Sequence, residues 1–348
     1  MLSFEGKRVL VTGGTGSLGH ALVRRLLSGA MGRPRRVVVF SRDEAKQHYM
    51  RLAFDQRTAA TDDIIYQHAQ DVLRFQIGDV RDYDTLLAAL RNADIVFNAA
   101  ALKQVPTCEY FPFEAVQTNV IGARNLAHAV CHHDTPVERV IGISTDKACK
   151  PINVMGMTKA LQERILIEAN LSTERTDFLC VRYGNVIASR GSVVPLFVGQ
   201  IRAGGPVTIT LKEMTRFLLS LDGAVDTVLA AAALGTRGET YIPKVPTATV
   251  VDVAAALMRI EGREVPMEFT GIRPGEKVHE IMVSEEECFR TGERGGYYVI
   301  QPVLPELRDP ALQTGVLAGE YSSMRDTIGV DAVQRLLEGA TAEIASFA

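Results

Sequence analysis

The sequence predicts an α/β fold, a parallel sheet covered by helices on both faces. Three observations predict it. Short β-branched runs alternate with helical stretches through roughly the first half of the chain. A glycine-rich turn joins the first run to the first helix. The chain has 348 residues, 47% of them apolar, enough for a large core in about two domains or one domain with a lobe attached.

Taken in order, the strand runs are "RVLVTG", "RRVVVFS", "RFQIGDV", "ADIVFNAAA", "RVIGIST" and "DFLCVRYG". Between them lie "GHALVRRLLS", "DYDTLLAALRN", "AVQTNVIGARNLAHAV" and "MTKALQERILIEAN", whose apolar spacing is helical. Crossovers between such strands are right-handed. Beyond about residue 185 the pattern loosens into short strands, with helices expected at 222–234 and 250–260. We therefore expect a Rossmann-type doubly wound domain over residues 1–184 and a smaller α/β substrate-binding lobe over 185–348, with 222–240 packing back on the first.

Net charge is −3 and the sequence pI is about 6.2, which gives a polyanion nothing to bind, so nucleic acid is not an expected partner. The five cysteines are scattered without a C-x-x-C pair, as reduced thiols would be. No uncharged apolar run reaches the ~18 residues of a membrane span. The chain enters a strand almost at once, leaving no room for a signal peptide. A cytoplasmic protein without a membrane partner is the expectation.

"VLVTGGTGSLGHALVRRLL" carries Gly13, Gly16 and Gly19 between a buried strand and an amphipathic helix. Glycine permits positive φ and close backbone approach to a pyrophosphate, and the helix start offers free amides and a positive dipole end. Thr15, Ser17 and Leu18 complete the candidate dinucleotide turn. The second strand ends at Ser41 and Arg42, where an NAD site usually has an acid ~20 residues beyond the glycines. A guanidinium forks onto a 2′-phosphate, so Arg42 favours NADP; Asp43 follows and keeps NAD open. Asp79 and Val80 end the third strand where an adenine would lie, and the small residues Ala99, Ala100 and Ala101 end the fourth. "HAVCHH" has the i, i+4 histidines His128 and His132 but no H-E-x-x-H acid, and is read as a helix end with no metal.

"VIGISTDKACKPINVMGMTKALQERI" joins a strand end, Thr145-Asp146-Lys147, to a helix carrying Lys159. With "TGGTGSLG", "FSRDE", "IGDVRD", "AAALKQVP", "RYGNVIASRGSVVPLF", "MTRF" and "IRPGEK", the chain resembles the extended short-chain dehydrogenase/reductases over nearly its whole length. More narrowly it resembles the soluble bacterial UDP-N-acetylglucosamine 4,6-dehydratases of the dehydratase/5-epimerase group. Short-chain dehydrogenases usually place a tyrosine four residues before the helix lysine; here that residue is Met155, and the resemblance is to the part of the dehydratase family, this group included, that carries methionine there.

The resemblance implies a reaction in which C4 of the sugar is oxidised, water is lost across C5 and C6, and hydrogen returns to C6. It implies a tightly bound cofactor that is regenerated in each turnover, and a homo-oligomer, dimer or hexamer. It makes Asp146 the acid toward O6 and Lys147 the base toward C5, roles that call for a raised carboxyl pKa and a lowered amine pKa. Thr145 would bond the sugar near its 4-hydroxyl, and Lys159 the nicotinamide ribose. With no phenol beside Lys159, the 4-hydroxyl proton is expected on Lys147, through Thr145 or water. Asn185, Arg216 and Arg273 match the family's nucleotide-diphosphate ligands and Glu276 its ribose-binding acid; Lys103, Arg190 and Ser192 are further substrate candidates. Two other functions stay open: a UDP-N-acetylglucosamine 4-epimerase, which needs no acid at O6, and a cofactor-binding protein without turnover, for which Met155 is the support.

Overall fold

The structure, a computed structural model, describes residues 3–55, 72–187 and 192–339. Its strands are β1 (Arg8–Thr12), β2 (Arg36–Ser41), β3 (Leu73–Ile77), β4 (Ile95–Asn98), β5 (Arg139–Ile143), β6 (Asp177–Val181), β7 (Val207–Ile209), β8 (Thr215–Phe217), β9 (Thr240–Ile242), β10 (Thr247–Thr249), β11 (Met267–Phe269), β12 (Ile281–Val283), β13 (Thr291–Arg294), β14 (Tyr297–Ile300) and β15 (Tyr321–Ser322). The helices are α1 (Ser17–Leu27), α2 (Glu44–Asp55), α3 (Tyr83–Leu90) and α4 (Val105–Tyr110). Next comes α5, built from Pro112–Ala115, a π-helical stretch Val116–Ile121 and Gly122–His132. Then follow α6 (Val154–Glu168), α7 (Val193–Ala203), α8 (Leu221–Leu234), α9 (Val250–Glu261), α10 (Glu285–Cys288) and α11 (Val330–Gly339).

Nine strands form the main sheet in the order β13-β14-β9-β6-β5-β4-β1-β2-β3. The run from β3 to β9 is parallel, and β14 and β13 extend it antiparallel. Strand alternation explains the continuous apolar runs. On β1, Val9 and Val11 pack with Leu22 and Leu26 of α1 and Val228 of α8. Leu10 turns to the other face, with Leu86 and Leu90 of α3 and Leu126 and Val130 of α5. A strand buried on both faces has no polar position to alternate with.

The division expected at residue 184 is corrected by the sheet. Strands β9, β14 and β13, all from the second half, complete the sheet begun by the first. The physical reason is the edge of β6: its buried strand needs a partner, and Cys180 and Val181 pair with Thr240 and Tyr241. Helix α8 lies on the same layer, in contact with α1, β5 and β6. What remains as a lobe is the small core of α7, α9 and α11, where Phe197, Ile201, Val253, Leu257, Val333 and Leu337 meet.

A buried ion network ties α6 and α10 to the end of β6. Arg182, just past β6, sets Nη2 2.7 Å from Glu163 of α6 and Nη1 2.8 Å from Glu287 of α10. Burial opposes the Glu287 charge, but the Arg182 guanidinium prevails and holds that carboxyl down at about 2. Glu163 also accepts a hydrogen bond from Ser144 at the end of β5. Among the described residues no helix is long and apolar enough to cross a membrane.

Candidate active site

A cleft of about 1150 Å³ opens at the carboxyl ends of the parallel strands, bounded on its far side by the lobe. This is where open α/β sheets take ligands. At one end lie Gly13, Thr15, Gly16, Ser17, Leu18 and Gly19. Gly13 has φ +64°, and a Cβ there would fall 2.7 Å from the Ala100 backbone, so the turn after β1 rests directly on the end of β4. Gly16 caps α1 without a side-chain hydrogen bond, which leaves the helix's opening amides to a ligand. Ser41 is buried and bonded to Thr15 at 3.2 Å. Arg42 stands half exposed, 3.6 Å from Asp79. Val80, Ala99, Ala100 and Ala101 line the same end, and Asn125 holds the Val80 carbonyl at 3.2 Å. This donor set fits a dinucleotide: a bare helix start for phosphates and an accessible guanidinium on the adjoining strand end.

In the middle of the cleft, β5 ends in a single 3₁₀ turn, Asp146–Ala148. Thr145 Oγ1 donates to Asp146 Oδ1 at 2.8 Å, and Lys147 Nζ donates to the same oxygen at 3.2 Å. Asp146 Oδ2 is buried and accepts nothing. Lys147 Nζ also lies 3.2 Å from Glu280 Oε1. Burial works against the Lys147 charge, but Asp146 and Glu280 together outweigh it, with Arg216 opposing them. The amine therefore titrates above the ordinary lysine value. The expectation of a lowered amine is corrected: sequence reading counted the burial and not the second carboxylate.

Helix α6 fixes this turn from behind. Asn153 caps it through the Gly156 amide at 2.7 Å, and a Cβ on Gly156 would fall 2.2 Å from the Lys147 carbonyl oxygen. Met155 is buried with Cys108 and Ala115 and lines the cleft. Lys159 Nζ donates to the Ile143 carbonyl at 2.5 Å and to Gln162 Oε1 at 2.7 Å. Burial, partly countered by Glu163, brings this amine down to about 8.

The far end of the cleft carries Lys103, Asn185, Ser192, Arg216, Arg273 and Glu276. Asn185 Oδ1 and Ser192 Oγ are buried without a partner, as groups waiting for a ligand are. Arg216 is anchored by the Thr215 carbonyl at 2.7 Å and the Val278 carbonyl at 3.1 Å. Glu276 accepts from Thr210 at 3.3 Å. One cleft thus gathers every candidate among the described residues; Arg190 lies outside them. Sequence reading missed Glu280 and Lys277, both of which line the cleft beside Lys147. The available signal was a carboxylate set directly before the apolar strand "IMV".

Residues 9–302 match the family described as polysaccharide biosynthesis protein. The UDP-glucose 4-epimerase of Rickettsia akari (strain Hartford) is 45% identical over 300 residues, 85% of this chain and 83% of that protein. The X-ray structure of Pen from Bacillus thuringiensis superposes with a TM-score of 0.84 at 32% identity, covering 97% of this chain and 98% of that one. A dTDP-glucose 4,6-dehydratase, DesIV from Streptomyces venezuelae, solved with NAD and TYD bound, shares the fold at TM-score 0.66 and 23% identity, over 78% of this chain and 86% of that one. The chain belongs to this polysaccharide biosynthesis family, a branch of the extended short-chain dehydrogenase/reductases. It is an enzyme of the nucleotide-sugar dehydratase/epimerase kind.

Proposed function

We propose that the protein is a UDP-N-acetylglucosamine 4,6-dehydratase that also inverts C5, working as a homo-oligomer on bound NADP. The observation that carries the reading is the Asp146–Lys147 pair in the cleft, with Asp146 Oδ2 buried and unpartnered. A simple 4-epimerase has no use for an acid at O6. The second reading, a UDP-sugar 4-epimerase, is favoured by the name of the rickettsial relative.

The amides after Gly16, with Ser41, Arg42, Asp79 and Lys159, would hold the cofactor. When bound, it supplies the oxidation of C4 and the later reduction at C6. The chain's own groups handle the protons. Lys147 is already charged, so the 4-hydroxyl proton is better passed through Thr145 to Asp146, 2.8 Å away, than to Lys147. That transfer loads Asp146 as the acid for O6. The 4-ketone acidifies C5–H, Lys147 removes that proton once its own ammonium proton has been given up within the cleft, and Asp146 protonates the departing hydroxyl, so water leaves. Arg216, Arg273 and Asn185 bind the diphosphate, with Lys103, Ser192 and Arg190 beside it and Glu276 on the ribose.

The test is incubation of the purified protein with UDP-N-acetylglucosamine in D₂O, with products read by NMR. A 6-deoxy-4-keto sugar with deuterium at C5 and inverted configuration is expected. A C4 epimer without label at C5 would establish the second reading instead, and unchanged substrate would leave a binding protein.

A further inference from the structure

Glu280 is a buried charge to which the proposed mechanism gives no task. It comes from the second half of the chain, directly before β12, and is 2% exposed. Its backbone is pinned independently of its side chain: the amide donates to Ser323 Oγ at 2.9 Å and the carbonyl accepts from the Ser323 amide at 2.8 Å. Oε1 lies 3.2 Å from Lys147 Nζ and 4.0 Å from Arg216 Nε. Oε2 is buried and takes no hydrogen bond. A carboxylate left half satisfied in a protein interior is costly, and calls for a reason.

The reason lies in proton bookkeeping. To act as a base Lys147 must be an amine, yet between two carboxylates it rests as an ammonium. We propose that Glu280 is a positioning residue for Lys147: it holds the ammonium in place and then accepts its proton, freeing the amine inside the occupied cleft. One N–H bond of Lys147 breaks and one O–H bond forms on Glu280 Oε1. The positive and negative charges cancel, and no outside acid or base takes part. Exclusion of water by the bound sugar favours the transfer, because a neutral amine and acid lose less on desolvation than two ions do. Once Lys147 has given up the proton it took from C5 and C5 is protonated again, return of the Glu280 proton restores the resting pair. This rests on the reading that Lys147 removes the C5 proton.

Four other groups border the pair. Asp146 shares Lys147 from the sheet side. Arg216 of β8 stands beside Glu280. Lys277 is tied to the Cys149 carbonyl at 2.5 Å. His279 is engaged by Thr215 at 2.8 Å.

Two measurements on Glu280→Gln and Glu280→Asp test this. The first needs no sugar: the Lys147 amine is titrated by NMR in full-length ¹⁵N-lysine protein, its signal assigned by its loss in Lys147→Arg. The midpoint falls by about 1–3 pH units in the Gln variant and by less in the Asp variant. The second follows deuterium entry at C5 of UDP-N-acetylglucosamine against pH. The wild-type rate is flat across neutral pH, because the transfer is internal. The Gln variant loses about 100-fold at pH 7 and recovers as pH rises, while Asp retains part of the flat profile. An unmoved Lys147 midpoint overturns the proposal, and so does a Gln profile that is lower but keeps the wild-type shape. If wild-type protein gives no exchange at C5, the functional reading fails, and the sugar-free titration still decides whether Glu280 governs the Lys147 charge.

Discussion

Replacing Gly156 by alanine isolates the contact between α6 and the turn that carries Asp146 and Lys147. The new methyl carbon would lie 2.2 Å from the Lys147 carbonyl oxygen and 3.0 Å from its carbon. Close carbon–oxygen contacts settle near ~3.3 Å, so helix and turn must part by about 1 Å. The obstacle is backbone, and no rotamer change relieves it. Alanine gains about 1 kcal/mol in helix propensity over glycine, and the overpacking costs about 1–3 kcal/mol. The net loss of stability is therefore at most about 2 kcal/mol. A 1 Å displacement of a reacting group costs about 100-fold in rate. Thermal unfolding and NMR-monitored turnover of UDP-N-acetylglucosamine should show a nearly native melting curve and a kcat down about 100-fold. The control is Gly199→Ala in α7, where the added carbon meets nothing within 4 Å; it should keep full activity and gain about 1 kcal/mol. Wild-type kcat in Gly156→Ala would refute the claim that this contact sets Lys147.

Asp146→Asn should lower kcat at least about 100-fold, and Met155→Ala far less, although the latter costs about 2–5 kcal/mol of stability; equal losses of kcat in one assay would contradict the assignment. Arg42→Ala should weaken NADP binding about tenfold or more while sparing NAD, read by titration calorimetry; parallel losses would place Arg42 off the 2′-phosphate. Burial brings the Lys159 amine down to about 8 in the fold from the ordinary lysine value of 10.5, so its burden is full below pH 8 and is relieved as pH rises from 8 toward 10.5. Without added nucleotide, the stability gap between wild type and Lys159→Met should shift in favour of wild type over that window, by an amount on the order of 3 kcal/mol; a gap independent of pH would overturn the burial argument. Arg182→Met should cost about 3–5 kcal/mol in denaturant unfolding, because it strands two buried carboxylates; a neutral effect would mean that Glu163 and Glu287 are satisfied without it.

The parts of the molecule that sequence revealed are those whose chemistry is contiguous. Gly13, Gly16 and Gly19 announce the turn between β1 and α1 because one strand, one turn and one helix start suffice to build it. Asp146 and Lys147 could be singled out because Lys159 follows on the next helix. Glu280 could not, since it is 133 positions beyond Lys147 and meets it only in the folded chain. The direction of the Lys147 shift failed with it, for the charge of a buried lysine is decided by every carboxylate around it. The domain division at 184 failed for a related reason: β9, β13 and β14 are three or four residues long, and their place in the sheet depends on the β6 edge.

That edge has a consequence for how the chain is made. On the ribosome, β6 is complete at Val181, but its neighbour β9 begins at Thr240. At a synthesis rate of about 5–20 residues per second, the strand waits some 3–12 s with one edge paired to β5 and the other unpaired. Its own segment, Asp177–Val181, is apolar enough to recruit a second nascent chain. The nascent chain is therefore most open to mispairing midway through translation, before the last three strands of the sheet arrive. Only the second half of the polypeptide closes that gap.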